Sequence, residues 1–165
     1  MYYFYFDASA LVKRYTRESG SDKMLFLFRN VPLAHLSCLT IGAMEVFWIC
    51  VRKRNDGRIT SHQFERAVTH LRHEVINSQS DFQTISTPDS VIWDVMRLIE
   101  THSLNSVDAI VLCSALEIAA ELRDTENTLV LVASDQRLIR AARAEGLQTF
   151  NPEVDSQQIL TDWIS

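Results

Sequence analysis

Short apolar runs alternate with longer mixed stretches along the whole chain. Tyr2–Phe6 is continuously aromatic, without the polar–apolar alternation of a half-exposed strand, and predicts a strand buried on both faces. Residues 129–133 form the clearest strand of the chain. Weaker apolar runs at residues 34–37, 82–86 and 147–150 are further strand candidates.

The stretches between these runs carry helix signals. Thr60 is followed three residues later by Gln63, the spacing of a capping box, and Thr87 precedes a proline at the first helical position. Ser106 is placed to cap the next helix, and Gly146 follows the last one. The predicted helices cover residues 8–16, 40–53, 60–76, 87–102, the stretch from 106 to a polar loop at 124–127, and 135–145.

Strands that alternate with helices are typical of an α/β fold with a parallel sheet. We therefore expect a short parallel sheet of four or five strands, covered by helices on both faces. The 165 residues suit one domain, and no repeat or linker divides them, so we expect a single domain over residues 1–165.

Composition narrows the class of protein. Apolar residues make up 47 % and charged residues 22 %, which excludes a disordered chain, a fibrous repeat and a disulfide-rich mini-protein. Cys38, Cys50 and Cys113 form no CxxC pair and are expected to be reduced core residues. With no secretory signal and no uncharged stretch near the ~20 residues that span a bilayer, we expect a soluble cytoplasmic protein.

Four acidic residues lie where isolated charge is costly. Asp7 and Asp135 directly follow strands, and Glu45 and Asp108 lie inside apolar helical stretches, with no matching buried cation in the pattern. Functional groups collect beyond the carboxyl ends of parallel strands, so these side chains can converge on a divalent cation. Mg²⁺ or Mn²⁺ would suit such a set of oxygen ligands.

A purely structural interpretation of the same acids also stands. Asp7, Asp108 and Asp135 are all placed at helix starts, where aspartate caps the helix and complements its dipole without any chemistry. Glu45 lies in mid-helix and can point to solvent. Ser9 either orients Asp7 or a water molecule, or caps the first helix.

The motifs that contain these acids resemble a known family. The segments FDASALVKRYTRESGS, LTIGAMEVFW with RKRNDGRIT, LNSVDAIVLCSAL and VASDQRLIRAARAEGLQTFNP are similar, in this order, to the PIN domain of VapC-type toxins. The resemblance spans nearly the whole chain. It implies a single PIN domain with a PIN-like α/β/α sandwich.

The resemblance also implies a function. It points to a magnesium-dependent endoribonuclease, the toxin of a type II toxin–antitoxin pair, which forms a homodimer and whose antitoxin occupies the acidic groove. Asp7, Glu45, Asp108 and Asp135 match the metal-binding and catalytic acids of the family, and Ser9 matches the small hydroxyl residue beside the first acid.

The chain carries 16 basic and 21 acidic residues, so its net charge of −5 gives no overall attraction for an RNA anion. An RNA substrate therefore needs a local group of basic side chains in addition to the metal site. Basic side chains follow the proposed ligands and predict an RNA-binding rim, although solvated helix faces explain them equally well. The rim residues are Lys13, Arg14, Arg137 and Arg140.

No histidine is placed as a general base. Met44, Phe47 and Trp48 are assigned to the core, with a dimer face or an antitoxin groove as the alternative.

Three other functions compete. A haloacid-dehalogenase-type phosphatase needs a second aspartate two residues after its strand-end nucleophile, where this chain has Ser9. A receiver domain needs an acidic pair and a later lysine, and neither is evident. A PIN-like module that binds RNA or protein without cleaving it remains the main alternative.

Overall fold

The computed structural model describes residues 1–164, apart from the side chain of residue 92. Its centre is a five-stranded sheet in which every neighbouring pair of strands is parallel. The strands are β1 (Tyr2–Phe6), β2 (Leu36–Leu39), β3 (Gln83–Ile85), β4 (Thr128–Val132) and β5 (Gln148–Phe150), in the spatial order β3-β2-β1-β4-β5. The predicted parallel α/β fold is therefore confirmed.

Eight α-helices surround this sheet in the described part of the chain. Their bounds are α1 Ala8–Tyr15, α2 Ser21–Asn30, α3 Thr40–Asn55, α4 Ser61–Leu71, α5 Val91–His102, α6 Ser106–Arg123, α7 Gln136–Ala144 and α8 Gln157–Ile164. A 3-10 turn at Leu33–His35 leads into β2, and a π-helical turn at Arg72–Ile76 continues α4.

Helix α4 begins as the sequence predicts. The Thr60 hydroxyl accepts a hydrogen bond from the Gln63 backbone at 3.2 Å, and the Gln63 side chain accepts one from the Thr60 backbone at 2.8 Å. This reciprocal capping box satisfies two backbone donors that the helix itself leaves free.

Two helix starts differ from the prediction. Helix α5 begins at Val91, because a turn in which the Val91 N–H donates to the Pro88 carbonyl precedes it, so Thr87 is not its cap. Helix α6 is capped by Asn105, whose side chain accepts from the Asp108 backbone, and Ser106 is the first helical residue.

The sequence analysis did not predict helices α2 and α8. Helix α2 starts after Gly20, which has φ of 83° and offers no capping side chain.

Successive residues of β1 belong to two separate cores. Phe4 and Phe6 pack on one face of the sheet with helices α1 to α4 and α8. Tyr5 packs on the other face with α5, α6 and α7. All three side chains are buried, which explains why the strand reads as an uninterrupted aromatic run.

Cys38, Cys50 and Cys113 are buried and free, as expected.

The order of the strands places two loops side by side. From β1 at the centre, the chain fills one side of the sheet with β2 and β3 and then the other side with β4 and β5. Strands β1 and β4 run in register, with Phe6 opposite Val132, and the Asp7 N–H donates to the Val132 carbonyl at 3.0 Å. The residues after these strands therefore meet at the carboxyl edge of the sheet, where α/β folds bind ligands.

No single helix within residues 1–164 is long and apolar enough to cross a membrane. A bent pair, Trp93–His102 with Ser106–Arg123, passes the same test on length and composition only, with a bend of 113°.

Candidate active site

Asp7 is nearly buried, with 6 % of its surface exposed, and caps helix α1. Its Oδ2 accepts a hydrogen bond from the Ser9 backbone at 2.9 Å and a second, short one from the Ser9 hydroxyl. Burial raises the pKa of the Asp7 carboxyl above its ordinary value, the bonds from Ser9 oppose that rise, and the charge of Asp135 adds to it. Asp7 is thus a cap and also a carboxylate held in one orientation.

Ser9 joins the loops that follow β1 and β4. While its hydroxyl donates to Asp7, its oxygen accepts a hydrogen bond from the Ser134 N–H at 2.9 Å. The hydroxyl of Ser134 is buried and has no hydrogen-bond partner among the described residues. Ser9 therefore fixes the position of Asp7 relative to the strand β4 loop.

Asp135 follows that loop and caps helix α7. Its Oδ1 accepts from the backbones of Arg137 at 2.7 Å and Leu138 at 3.0 Å. Unlike Asp7, the residue is exposed, so one carboxylate oxygen can contact the solvent or a ligand.

Asp108 enters the site from the first turn of helix α6, on the opposite face of the sheet from α3. Asn105 holds it twice, through the backbone at 2.9 Å and through a 2.7 Å bond from its amide to Asp108 Oδ2. Burial first, then the charges of Asp7 and Asp135, raise the pKa of Asp108 to about 6, and Arg137 opposes that rise.

Glu45 lies in the second turn of helix α3 and is half-buried. Burial and the charges of Asp7 and Asp108 raise its pKa to about 7. The interpretation of Glu45 as a solvent-facing residue is therefore not supported, because its carboxyl group is placed among other carboxyl groups.

One cavity of about 590 Å³ is lined by all four acids. None of the described residues that line it is a lysine, an arginine or a histidine. Its lining also includes Ser9 and an apolar wall, and the full set is Asp7, Ala8, Ser9, Ile41, Met44, Glu45, Trp48, Ile49, Asp108 and Asp135. The cavity is thus strongly acidic on one side and apolar on the other.

The donor set fits a hard divalent cation. Four carboxylates and a hydroxyl offer only oxygen ligands, and the like charges that raise the pKa of three of the acids would be relieved by a cation. Within residues 1–164, no group of three or more His, Cys, Asp or Glu side chains is placed to hold a metal ion as it stands. The side chains would therefore have to turn toward the ion.

Two residues that the sequence analysis assigned to the core, Met44 and Trp48, instead belong to the apolar wall of the cavity. Met44 is 47 % exposed and Trp48 is 56 % exposed, and both line the acidic cavity. Phe47 is the one that packs against the core, where its ring lies 6.2 Å from that of Phe64. The guanidinium of Arg52 lies over the Trp48 ring at 4.7 Å.

Lys13 cannot belong to an exposed basic rim. It is 4 % exposed, and its Nζ donates to Glu153 at 2.6 Å, since the C-terminal part of the chain folds over α1. Arg14 is half-buried and forms a bidentate pair with Glu74. Arg137 and Arg140 are exposed on α7, and Arg137 is close enough to lower the pKa of Asp108.

The histidines lie away from the acids, as the sequence predicts. None of the five lines the acidic cavity. His62, His70 and His73 are exposed, the ring of His35 packs at a tilt against that of Tyr3, and His102 pairs with Glu145.

Asn105 is the site residue that the sequence did not reveal. It controls both the start of α6 and the orientation of Asp108. The available signal was its position three residues before Asp108, since Asn is among the most favoured N-cap residues.

Comparisons with known proteins agree with this architecture. The crystal structure of PAE2754 from Pyrobaculum aerophilum superposes with a TM-score of 0.59 at 18 % identity, covering 99 % of this chain and 98 % of that one. At this identity the likeness shows the fold alone. No curated protein matches the sequence. The PIN domain family matches residues 4–144, a range that contains β4, most of β1 and all four acids, and the chain therefore belongs to the PIN domain family.

Proposed function

We propose that this protein is a metal-dependent endoribonuclease that hydrolyses RNA phosphodiester bonds with Mg²⁺ or Mn²⁺. PIN domains are generally nucleases that use divalent metal ions. The observation that carries the proposal is the acidic cavity, in which four carboxylates from both faces of the sheet meet without a cation in the described lining.

Each acid has a role in this proposal. Asp7 and Asp108 are the principal ligands, because hydrogen bonds from Ser9 and Asn105 hold them in place. Glu45 and Asp135 complete the ligand set or orient the attacking water. The bound ion would supply positive charge at the scissile phosphate and lower the pKa of water.

The surroundings of the acids support an RNA substrate. Arg137 and Arg140 are exposed on α7 and would contact phosphates of the substrate. Trp48 presents an exposed ring on the cavity wall, on which an unpaired base can stack, and Arg52 lies against that ring. The acids without their ion would repel the same substrate.

The resemblance of the sequence motifs to VapC-type toxins supports a cellular role. In this role the protein is the toxin of a type II pair, forms a homodimer, and has an antitoxin that occupies the acidic cavity. Light scattering should then give twice the chain mass of 18.9 kDa. Expression in bacteria should arrest growth, the Asp7→Asn variant should not, and a monomeric or harmless wild type would contradict this role.

The nuclease proposal is tested by cleavage of a mixed RNA pool with Mg²⁺ or Mn²⁺. Asp7→Asn and Asp108→Asn should each lower the rate ~100-fold or more, as should a chelator. Asp124→Asn removes an exposed acid outside the cavity and is the matched control. Undiminished cleavage in both site variants would reveal a contaminating nuclease, and RNA binding without cleavage would favour the non-cleaving module.

A further inference from the structure

A second cavity of about 470 Å³ lies at the far end of helix α1 from the acids. Helix α1 begins with Ala8 and Ser9 at the acidic cavity, and it ends with Arg14 and Tyr15 at this one. The two cavities share no described lining residue, and their nearest lining residues on α1, Ser9 and Arg14, lie about 8 Å apart along the helix axis.

The charge of this cavity is opposite to that of the active site. Its described lining contains Arg14, Arg17, Arg66 and His70 but no acidic residue. Glu74 neutralises Arg14. Within residues 1–164, Arg17 and Arg66 form no ion pair, although the chain as a whole carries a net charge of −5. Two uncompensated guanidinium groups therefore border one concave surface.

The other residues that line this cavity are polar or apolar but carry no charge. Gln63 adds an amide, while Leu25, Ile59 and Ala67 are apolar. Burial and the nearby Glu74 raise the pKa of Tyr15, so its buried hydroxyl remains protonated and adds no negative charge to the lining. The volume lies within the ~300–1,000 Å³ typical of small-molecule sites and exceeds the need of a simple anion.

We propose that this cavity, between the end of α1 and helix α4, binds a nucleoside monophosphate unit, with Arg17 and Arg66 on the phosphate. Guanidinium forks match the oxygens of a phosphate in a bidentate manner, and the apolar lining suits a base or sugar. An acidic peptide would satisfy the cations but would leave the apolar surface uncovered. The unit can come from an RNA chain or from a free nucleotide.

The test measures binding by titration calorimetry with the full chain in EDTA, so it does not depend on the proposed cleavage. Adenosine 5′-monophosphate is the probe, and adenosine should bind at least tenfold more weakly. The double variant Arg17→Gln/Arg66→Gln should lose at least tenfold in affinity. The matched control Arg29→Gln/Arg123→Gln removes two exposed arginines elsewhere and should bind as the wild type does.

A second titration identifies the source of the nucleotide. A hexameric adenylate RNA that displaces the mononucleotide would assign the site to the RNA chain, and a mononucleotide that stays bound would assign it to free nucleotide. Arg66→Lys keeps the positive charge but loses the planar guanidinium that can form two hydrogen bonds to a phosphate, so it should still weaken binding. This conservative variant therefore separates recognition of the phosphate from loss of folding. Absence of arginine-dependent binding by either probe, or preference for a hexaglutamate peptide, would overturn the proposal.

Discussion

Glu45 shows how the site is built at the level of single residues. Every influence on its carboxyl group opposes the charged form, namely burial, Asp7 and Asp108. Among the described residues it has no cation to compensate this cost. The metal-free protein is therefore destabilised at the place that the proposed ion would occupy, as is common for functional sites.

Replacement of Glu45 by glutamine should stabilise the metal-free protein. At pH 8 in EDTA we expect the melting temperature to rise by roughly 2–4 °C, which corresponds to about 1 kcal/mol for a chain of this length. The effect is modest because Glu45 is only half-buried and solvent screens part of the repulsion. Thermal unfolding measures it, with the exposed Glu100→Gln as control.

Addition of Mn²⁺ extends the same experiment. The ion should raise the melting temperature of the wild type more than that of Glu45→Gln, since the variant has less repulsion to relieve. A variant that melts below the wild type in EDTA would show that Glu45 stabilises the fold instead.

Ser9 acts through Asp7 and is therefore a positioning residue. Ser9→Ala removes the donor to Asp7 and the acceptor of the Ser134 N–H. We expect RNA cleavage to fall about 10–100-fold and Mn²⁺ affinity to weaken. Ser9→Thr keeps the hydroxyl and should restore most of both, whereas equal losses in the two variants would mean that only the size of the side chain matters.

At the level of elements, helix α3 serves the core and the site at once. Neighbouring residues on a helix point about 100° apart, so Phe47 can pack inward while Trp48 lines the cavity. The sequence around them is apolar on nearly all sides, which is why it did not separate core from surface. That distinction needed the position of the helix against the sheet.

Alanine variants of these two neighbours should behave differently. Phe47→Ala should destabilise the protein by about 2 kcal/mol or more in urea unfolding, because it opens a cavity beside Phe64. Trp48→Ala should change stability little but weaken RNA binding ~10-fold through the lost stacking surface. A large loss of stability in Trp48→Ala with unchanged RNA affinity would return Trp48 to the core.

Local signals decided which helices were predicted. Helix α4 carries its own capping box, and α7 is capped by Asp135 directly after a strand. Helix α2 follows Gly20, whose φ of 83° sets the chain direction without a capping side chain, and the carbonyl of Pro152 lies only 2.5 Å from where a Cβ would stand. That start depends on a contact with a distant segment, so no local pattern marked it.

For the molecule as a whole, a network of charges ties distant segments together. Lys53 of α3 donates to Glu18 at 2.7 Å and to Thr16 at 2.7 Å. Lys13 lies 3.7 Å from the same Glu18 and pairs with Glu153. Both lysines are nearly buried. Removal of one partner would leave a buried charge without compensation.

The network gives stability a defined pH dependence. Burial alone would raise the pKa of Glu18, but the hydrogen bond and charge of Lys53 and the charge of Lys13 hold it below its ordinary 4.5. An acid whose pKa is lowered by folding stabilises the protein above its unfolded pKa, and this contribution is lost as the pH falls through the folded value.

Glu18→Gln should therefore destabilise the protein by about 1–3 kcal/mol at pH 7. In urea unfolding, the difference from the wild type should shrink as the pH falls below 4.5. Glu100→Gln again provides a control with an exposed acid. A difference that stays constant down to pH 3 would exclude the ionised Glu18 as its source.

The sequence by itself determined the alternation of strands and helices and identified the four acids that line the cavity. Those features are local, because a doubly buried strand must be an apolar run and a charge in an apolar stretch is costly wherever the chain folds. Asp7 and Asp135 were also placed correctly relative to each other, since both follow strands of one parallel sheet.

Only the tertiary structure decided which charges meet. Glu45 and Asp108 lie on helices that pack against opposite faces of the sheet, and they share a cavity because both helices reach its carboxyl edge. Lys13 is not part of the expected basic rim, because Glu153, 140 residues away in the chain, folds against it and accepts a hydrogen bond from its Nζ. Such pairings depend on through-space distance, which no spacing along the chain encodes.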